Sequence, residues 1–151
     1  MKIPNNNQHI LFGGIFILAN KLQHVAEQKV EGLSVKQWFL LRTLQDMPID
    51  PAPTITSLAK ETDTTRQNAA KMLEILHRDG YVVLADNPYD GRSSAIEITE
   101  KGRQMLGTMA AGSAGFFHEL FTDIDNKDLD IAAEVIIKII DKLNKMQEEM
   151  P

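Results

Sequence analysis

A short stretch of this chain gathers the side chains that recognise nucleic acid. Thr64 and Thr65 precede Arg66, Gln67 and Asn68, and Lys71 follows one helical turn later. Amide and guanidinium groups at a helix start read base edges, while hydroxyl and ammonium groups hold phosphates. With about 100° of rotation per helical residue, Gln67, Lys71, Glu74 and Arg78 share one face, flanked by Arg66 and Asn68. Ala69, Met72, Leu73 and Leu76 form the opposite, apolar stripe at i, i+3, i+4 and i+7. A favourable i,i+4 ion pair is expected between Glu74 and Arg78. The chemistry on offer is binding, not bond-breaking.

The elements that position this face follow from local pattern. Ile55 to Thr62 reads as a short helix with a Leu58-Ala59 core pair, interrupted at 63–65. Thr64 to Gln67 offers a capping box for a second helix from Arg66 to Arg78, which Asp79-Gly80 closes. Then come a strand at 81–84, a turn rich in Asn, Pro, Asp and Gly, and a second strand at 94–98. Helix, turn, helix and a two-stranded wing present the second helix to a partner, and duplex DNA is the commonest such partner.

Around that module the periodicity predicts further helices. Leu11, Ile15, Leu18, Leu22 and Val25 make a helical stripe from about Gln8 to Lys29. Gly13-Gly14 inside it is either a tolerated bend or a site of close helix approach. Ser34 to Gln37 matches a capping box, starting a helix with Trp38, Leu40, Leu41 and Leu44 as its core. Residues 47–53 hold three prolines and must form a loop. Thr99 caps a helix running through Leu106 and Met109 toward Phe116-Phe117, with a middle rich in Gly, Ala and Ser. A last helix starts at Thr122 or Asp125 and carries Ile131, Val135, Ile136, Ile139, Ile140, Leu143 and Met146. Apolar stripes left over at both chain ends imply a partner chain.

Composition bounds the alternatives. The 151 residues include no cysteine, which removes disulfides, thiol catalysis and thiolate metal sites. The net charge of −5 argues against an indiscriminate polyanion binder. The charge is uneven: residues 1–53 carry five basic and four acidic groups, 54–103 seven and eight, and 104–151 four and nine. The acidity therefore sits away from the reading head. The longest apolar run, Ile10 to Ala19, is about half a membrane span. The first residues lack a basic-then-apolar signal pattern, so a cytoplasmic protein is expected. Nucleophile-elbow, phosphate-loop, HExxH and dinucleotide motifs are all missing, so no enzyme is expected.

The ordered pieces resemble the MarR family of winged helix-turn-helix transcriptional regulators. Leu33 to Trp38 is similar to the family's "LT..Q", and Thr56-Ser57-Leu58-Ala59 to the first helix of its motif. Leu76 to Val82 resembles "L..-.GLV", Asn87 to Arg92 resembles "DP.D.R", and Ile96 to Gly102 resembles "V.LT..G". The resemblance implies a mainly α fold with a small β-wing: one domain over 1–151, with a winged-helix DNA-binding lobe at 33–103. Residues 6–30 and 104–148 would form a helical dimerisation lobe. It also implies a homodimer on a pseudo-palindromic double-stranded operator, acting as a repressor relieved by a small effector. Thr64, Thr65, Arg66, Gln67, Asn68 and Lys71 then fall in the recognition helix and its approach. Asp90 and Arg92 match the wing pair, the aspartate orienting an arginine that contacts DNA. Leu84, Ala85 and Gly91 stand where family members often have arginines.

The same resemblance suggests an effector cleft lined by His9, Phe12, Trp38, Phe39, Arg42, Met105 and Met109. Apolar walls with one arginine would suit a phenolic carboxylate, although Trp and Met at helical spacing also describe ordinary core. The histidines 9, 24, 77 and 118 are scattered singly, so no metal and no cofactor are expected. The rival functional reading is a winged-helix protein-interaction module that has lost DNA binding.

Overall fold

The computed structural model describes residues 6–86 and 94–150. The described elements are α1 (Asn7–Lys29), α2 (Val35–Asp46), α3 (Ile55–Glu61), α4 (Arg66–Arg78), β1 (Val82–Asp86), β2 (Ser94–Ile98), α5 (Glu100–Phe121) and α6 (Asn126–Glu148). The chain divides between Ala114 and Gly115 into two compact units.

In the first unit, local caps set the helix boundaries. Ser34 and Gln37 form the expected reciprocal box at α2, with Gln37 N–H donating to Ser34 Oγ at 3.2 Å. Thr54 and Ser57 do the same for α3. The proline loop between them is pinned where Ile96 N–H donates to Pro53 O at 2.8 Å. The core is one cluster: Leu40, Leu41 and Leu44 from α2, Leu58 and Ala59 from α3, and Ala69, Leu73 and Leu76 from α4. Val82, Ile96 and Leu106 complete it from β1, β2 and α5, and Trp38 and Met72 pack on its margin, half-buried. Each fully buried leucine contributes roughly 1.5–3 kcal/mol of transfer free energy. β1 and β2 pair antiparallel, Val82 opposite Ile98 and Asp86 opposite Ser94, so the first strand lies one residue later than its sequence pattern and runs on to Asp86.

Helix α1 buries none of its residues. Leu11, Phe12, Ile15, Phe16 and Leu18 are all exposed, with Phe12 and Phe16 in edge-to-face contact at 5.5 Å. A Cβ added at Gly13 or Gly14 would meet nothing within 4 Å, so no other described part of this chain approaches them closely.

The second unit holds the last turns of α5 and all of α6. α5 continues past Phe116-Phe117 to Phe121, and Phe117 stacks on Phe121 at 6.3 Å. Asp125 caps α6, accepting from Lys127 N–H at 3.0 Å. α6 buries no residue, and Ile131, Ile136, Ile137, Ile140 and Leu143 lie exposed along it.

Candidate nucleic-acid interface

The turn between α3 and α4 is built from backbone geometry. α3 ends with Asp63 N–H donating to Lys60 O at 3.2 Å and Thr64 N–H to Ala59 O at 2.9 Å. This paired closure places Asp63 at φ 48, a left-handed conformation that aspartate tolerates better than most side chains. The chain then turns directly into α4. The cap is Thr65, not Thr64: its Oγ1 accepts from Asn68 N–H at 3.1 Å, and no glutamine returns the bond. The expected box fails because Thr64 N–H and its backbone are already committed to closing α3.

α4 behaves as the sequence pattern requires. Ala69, Leu73 and Leu76 are buried, while Arg66, Gln67, Asn68, Lys71, Glu74 and Arg78 are exposed. The first turn holds no acidic side chain, so the positive end of the helix dipole is not neutralised locally. The expected Glu74–Arg78 pair does not form. Arg78 turns to its neighbour instead, Nε to Asp79 Oδ1 at 3.0 Å and Nη2 to Oδ2 at 3.4 Å. A partner one residue away, at the helix end, costs less side-chain ordering than a reach back along the row. Hydrogen bonding to Arg78 holds the Asp79 carboxyl below its ordinary range and raises the guanidinium above its own.

The C-terminus of α4 is fastened more firmly than its sequence suggests. Gly80 N–H donates to His77 O at 3.0 Å and Tyr81 N–H to Leu76 O at 2.8 Å, with Gly80 at φ 82. Thr99 Oγ1 donates to Gly80 O at 2.7 Å, and Lys101 Nζ donates to Asp79 O at 2.7 Å while lying 4.9 Å from the Tyr81 ring centre. His77 Nδ1 stands 3.1 Å from Val82 O. Gly102 is required here, because a Cβ would come within 2.3 Å of Tyr81 O. Thr99 also caps α5 as expected, accepting from Gly102 N–H at 3.1 Å. Sequence reasoning found Thr99 and Gly80 but missed Lys101 and Gly102 as parts of this joint. Gly102 ends the "V.LT..G" resemblance without revealing its contact, and nothing local marks Lys101, since the partners of both are about twenty residues earlier.

The wing pair, Asp90 and Arg92, lies outside the described residues, as does Gly91. Leu84 on β1 is exposed.

The residues expected to line an effector cleft are placed unequally. Phe12 and Phe39 are exposed, Trp38 is half-buried against the core, and Met109 is buried. His9 is exposed and Met105 half-buried. Met105 and Met109 converge on Gly32, whose added Cβ would lie 3.4 Å and 3.1 Å from their sulfurs. Arg42 is neither buried nor unpaired: its Nε lies 3.3 Å from Asp46 and its Nη1 donates to Gln45 at 3.0 Å. A cavity of about 530 Å³ lies elsewhere, between the end of α2, the proline loop and α3, lined by Thr43, Asp46, Pro51 and Ser57 among others. Among the described residues, no group of three or more His, Asp or Glu side chains is placed to hold a metal. No described helix is long and apolar enough to cross a membrane.

Residues 31–93, from the loop before α2 to the wing, match the family model described as MarR family. Over 141 residues the chain is 25% identical to the transcriptional activatory protein BadR of Rhodopseudomonas palustris, spanning 91% of this chain and 81% of that one. The chain is similar to the MarR family over residues 31–93. The chain is also 25% identical over 140 residues to the HTH-type transcriptional repressor YetL of Bacillus subtilis, at 91% and 83% coverage. The likeness in fold extends beyond the matched segment. The crystal structure of the PcaV transcriptional regulator from Streptomyces coelicolor, in complex with its natural ligand, superposes with a TM-score of 0.76. That likeness covers 93% of this chain and 96% of PcaV, at 16% identity.

Proposed function

We propose that this MarR-like chain is a dimeric, sequence-specific DNA-binding transcriptional regulator of the cytoplasm, a repressor relieved by a small molecule, and not an enzyme. The observation that carries the reading is α4. One face is buried in the core, and the other presents Arg66, Gln67, Asn68 and Lys71 to solvent. Arg66, Gln67 and Asn68 read base edges, Lys71 and the hydroxyls of Thr64 and Thr65 hold phosphates, and Arg92, oriented by Asp90, anchors the wing. Residues 33–103 act as the DNA-binding lobe, and 6–30 with 104–148 as the dimerisation lobe. The exposed apolar faces of α1 and α6 support that division, because monomeric proteins rarely expose such stripes without a partner.

Two curated relatives carry opposite signs of regulation, an activatory protein and a repressor. The effector reading draws on PcaV, described with its natural ligand, and on the Met105–Met109 pair near Gly32. Arg42, tied to Asp46 in the isolated chain, would have to leave that partner to meet an anion.

The test is a mobility shift of the purified protein on its own upstream DNA across a salt series. A complex of dimer stoichiometry that outlasts non-specific binding as salt rises establishes the regulator. Equal weak binding to unrelated DNA would move the protein-interaction reading forward. A thermal-shift screen of phenolic acids, lipophilic drugs and metals with no stabilising hit would count against an effector.

A further inference from the structure

One acidic side chain stands on the outward row of the recognition helix. Glu74 is exposed between Lys71 and Arg78, on the face opposite Leu73 and Leu76. Its i+4 neighbour, Arg78, is held by Asp79 at 3.0 Å, and Glu74 adds only a weaker coulombic attraction to that guanidinium. A carboxylate in this position is repelled by phosphates and has only acceptor atoms to offer. In a major groove its productive partner is an exocyclic amino group. The cytosine N4 amino group is the better fit, because the adenine amino group lies beside the N7 acceptor, which would face the second carboxylate oxygen.

We propose that Glu74 is a specificity-determining residue that accepts a hydrogen bond from cytosine N4 at one C·G pair in each half-site. The proposal rests on the DNA-binding reading above and names what the third turn of α4 selects. Seven residues separate Gln67 from Glu74, about 10 Å along the helix. The selected cytosine therefore lies at a different base pair from the position read by Gln67. The carboxylate acts in both directions, attracting the amino group and rejecting pairs that present acceptors there.

The experiment is selection from a randomised duplex pool by the full-length protein, E74Q and E74A, followed by titration of the selected operator and its single-pair variants. Wild type should enrich a C·G pair at one position per half-site and lose about tenfold affinity when that pair is changed. E74A should lose preference at that position alone and keep the rest of the motif. E74Q should shift the preference to adenine, since an amide pairs with both N6 and N7. An unchanged motif in both variants, with E74A merely tighter on every sequence, would overturn the proposal and leave Glu74 as a repulsive surface charge. If wild type enriched no sequence, the DNA-binding reading would fail and this proposal with it. Because the wild-type selection is scored separately, the two failures are distinguishable.

Discussion

At the scale of single residues, α4 separates the exposed side chains proposed to confer DNA affinity from the buried ones that fold the helix. Lys71 is exposed on α4. Lys71→Ala is therefore expected to weaken binding to all sequences alike and to lower the salt slope by about one, read from mobility shifts at several ionic strengths. Arg66→Ala with Arg92→Ala should abolish operator affinity in a protein that remains a folded dimer by sedimentation. Leu73 is 1% exposed and sits mid-cluster, so Leu73→Ala should cost about 2–5 kcal/mol in urea denaturation. Thr65→Ala removes the cap bond to Asn68 N–H and should cost about 1 kcal/mol, with the loss concentrated at the N-terminus of α4.

At the scale of elements, the decisive feature is how α4 is held at its two ends. Its start depends on one hydroxyl, whereas its end is bound to β1 and the start of α5 by His77, Thr99, Lys101 and Gly102. A methyl group at residue 102 would collide with Tyr81 O and with Ile98 Cγ1 at 2.8 Å. Gly102→Ala is accordingly expected to destabilise the first unit by about 1–3 kcal/mol, measurable as a lowered denaturation midpoint. It should also reduce DNA affinity, because the end of the recognition helix must move. A Gly80 substitution would act differently, through its φ of 82 alone, and a Gly80→Asn variant should be the best tolerated.

At the scale of the whole molecule, α1 and α6 are the helices proposed to assemble the dimer. Neither buries a residue within one chain, although both present aliphatic rows. Placing charge in the α6 row, as Ile140→Glu with Leu143→Glu, should yield a monomer in sedimentation and abolish dimer-stoichiometry DNA complexes. Both residues are half-exposed, so the first unit should keep its own denaturation midpoint. The acidic balance of residues 104–151 fits a segment placed away from phosphates.

Much of this protein was legible in its sequence because the signals were local. Helical periodicity placed α4 at Arg66–Arg78, the Ser34 box placed α2, and turn chemistry placed Gly80, each through groups within about four residues of one another. The exposed row on α4 followed from the same periodicity. Tertiary structure decided the rest. The shift of the cap from Thr64 to Thr65 depended on how α3 closes, and the Arg78 partner depended on competition between Glu74, one turn back, and the adjacent Asp79. The loss of Arg42 as a free cation followed from Asp46 lying one turn away, a pairing the sequence allowed but did not require. The Lys101 and Gly102 joint was invisible for a different reason. Its partners are brought together only when the wing folds back, and no local preference encodes a contact spanning some twenty residues.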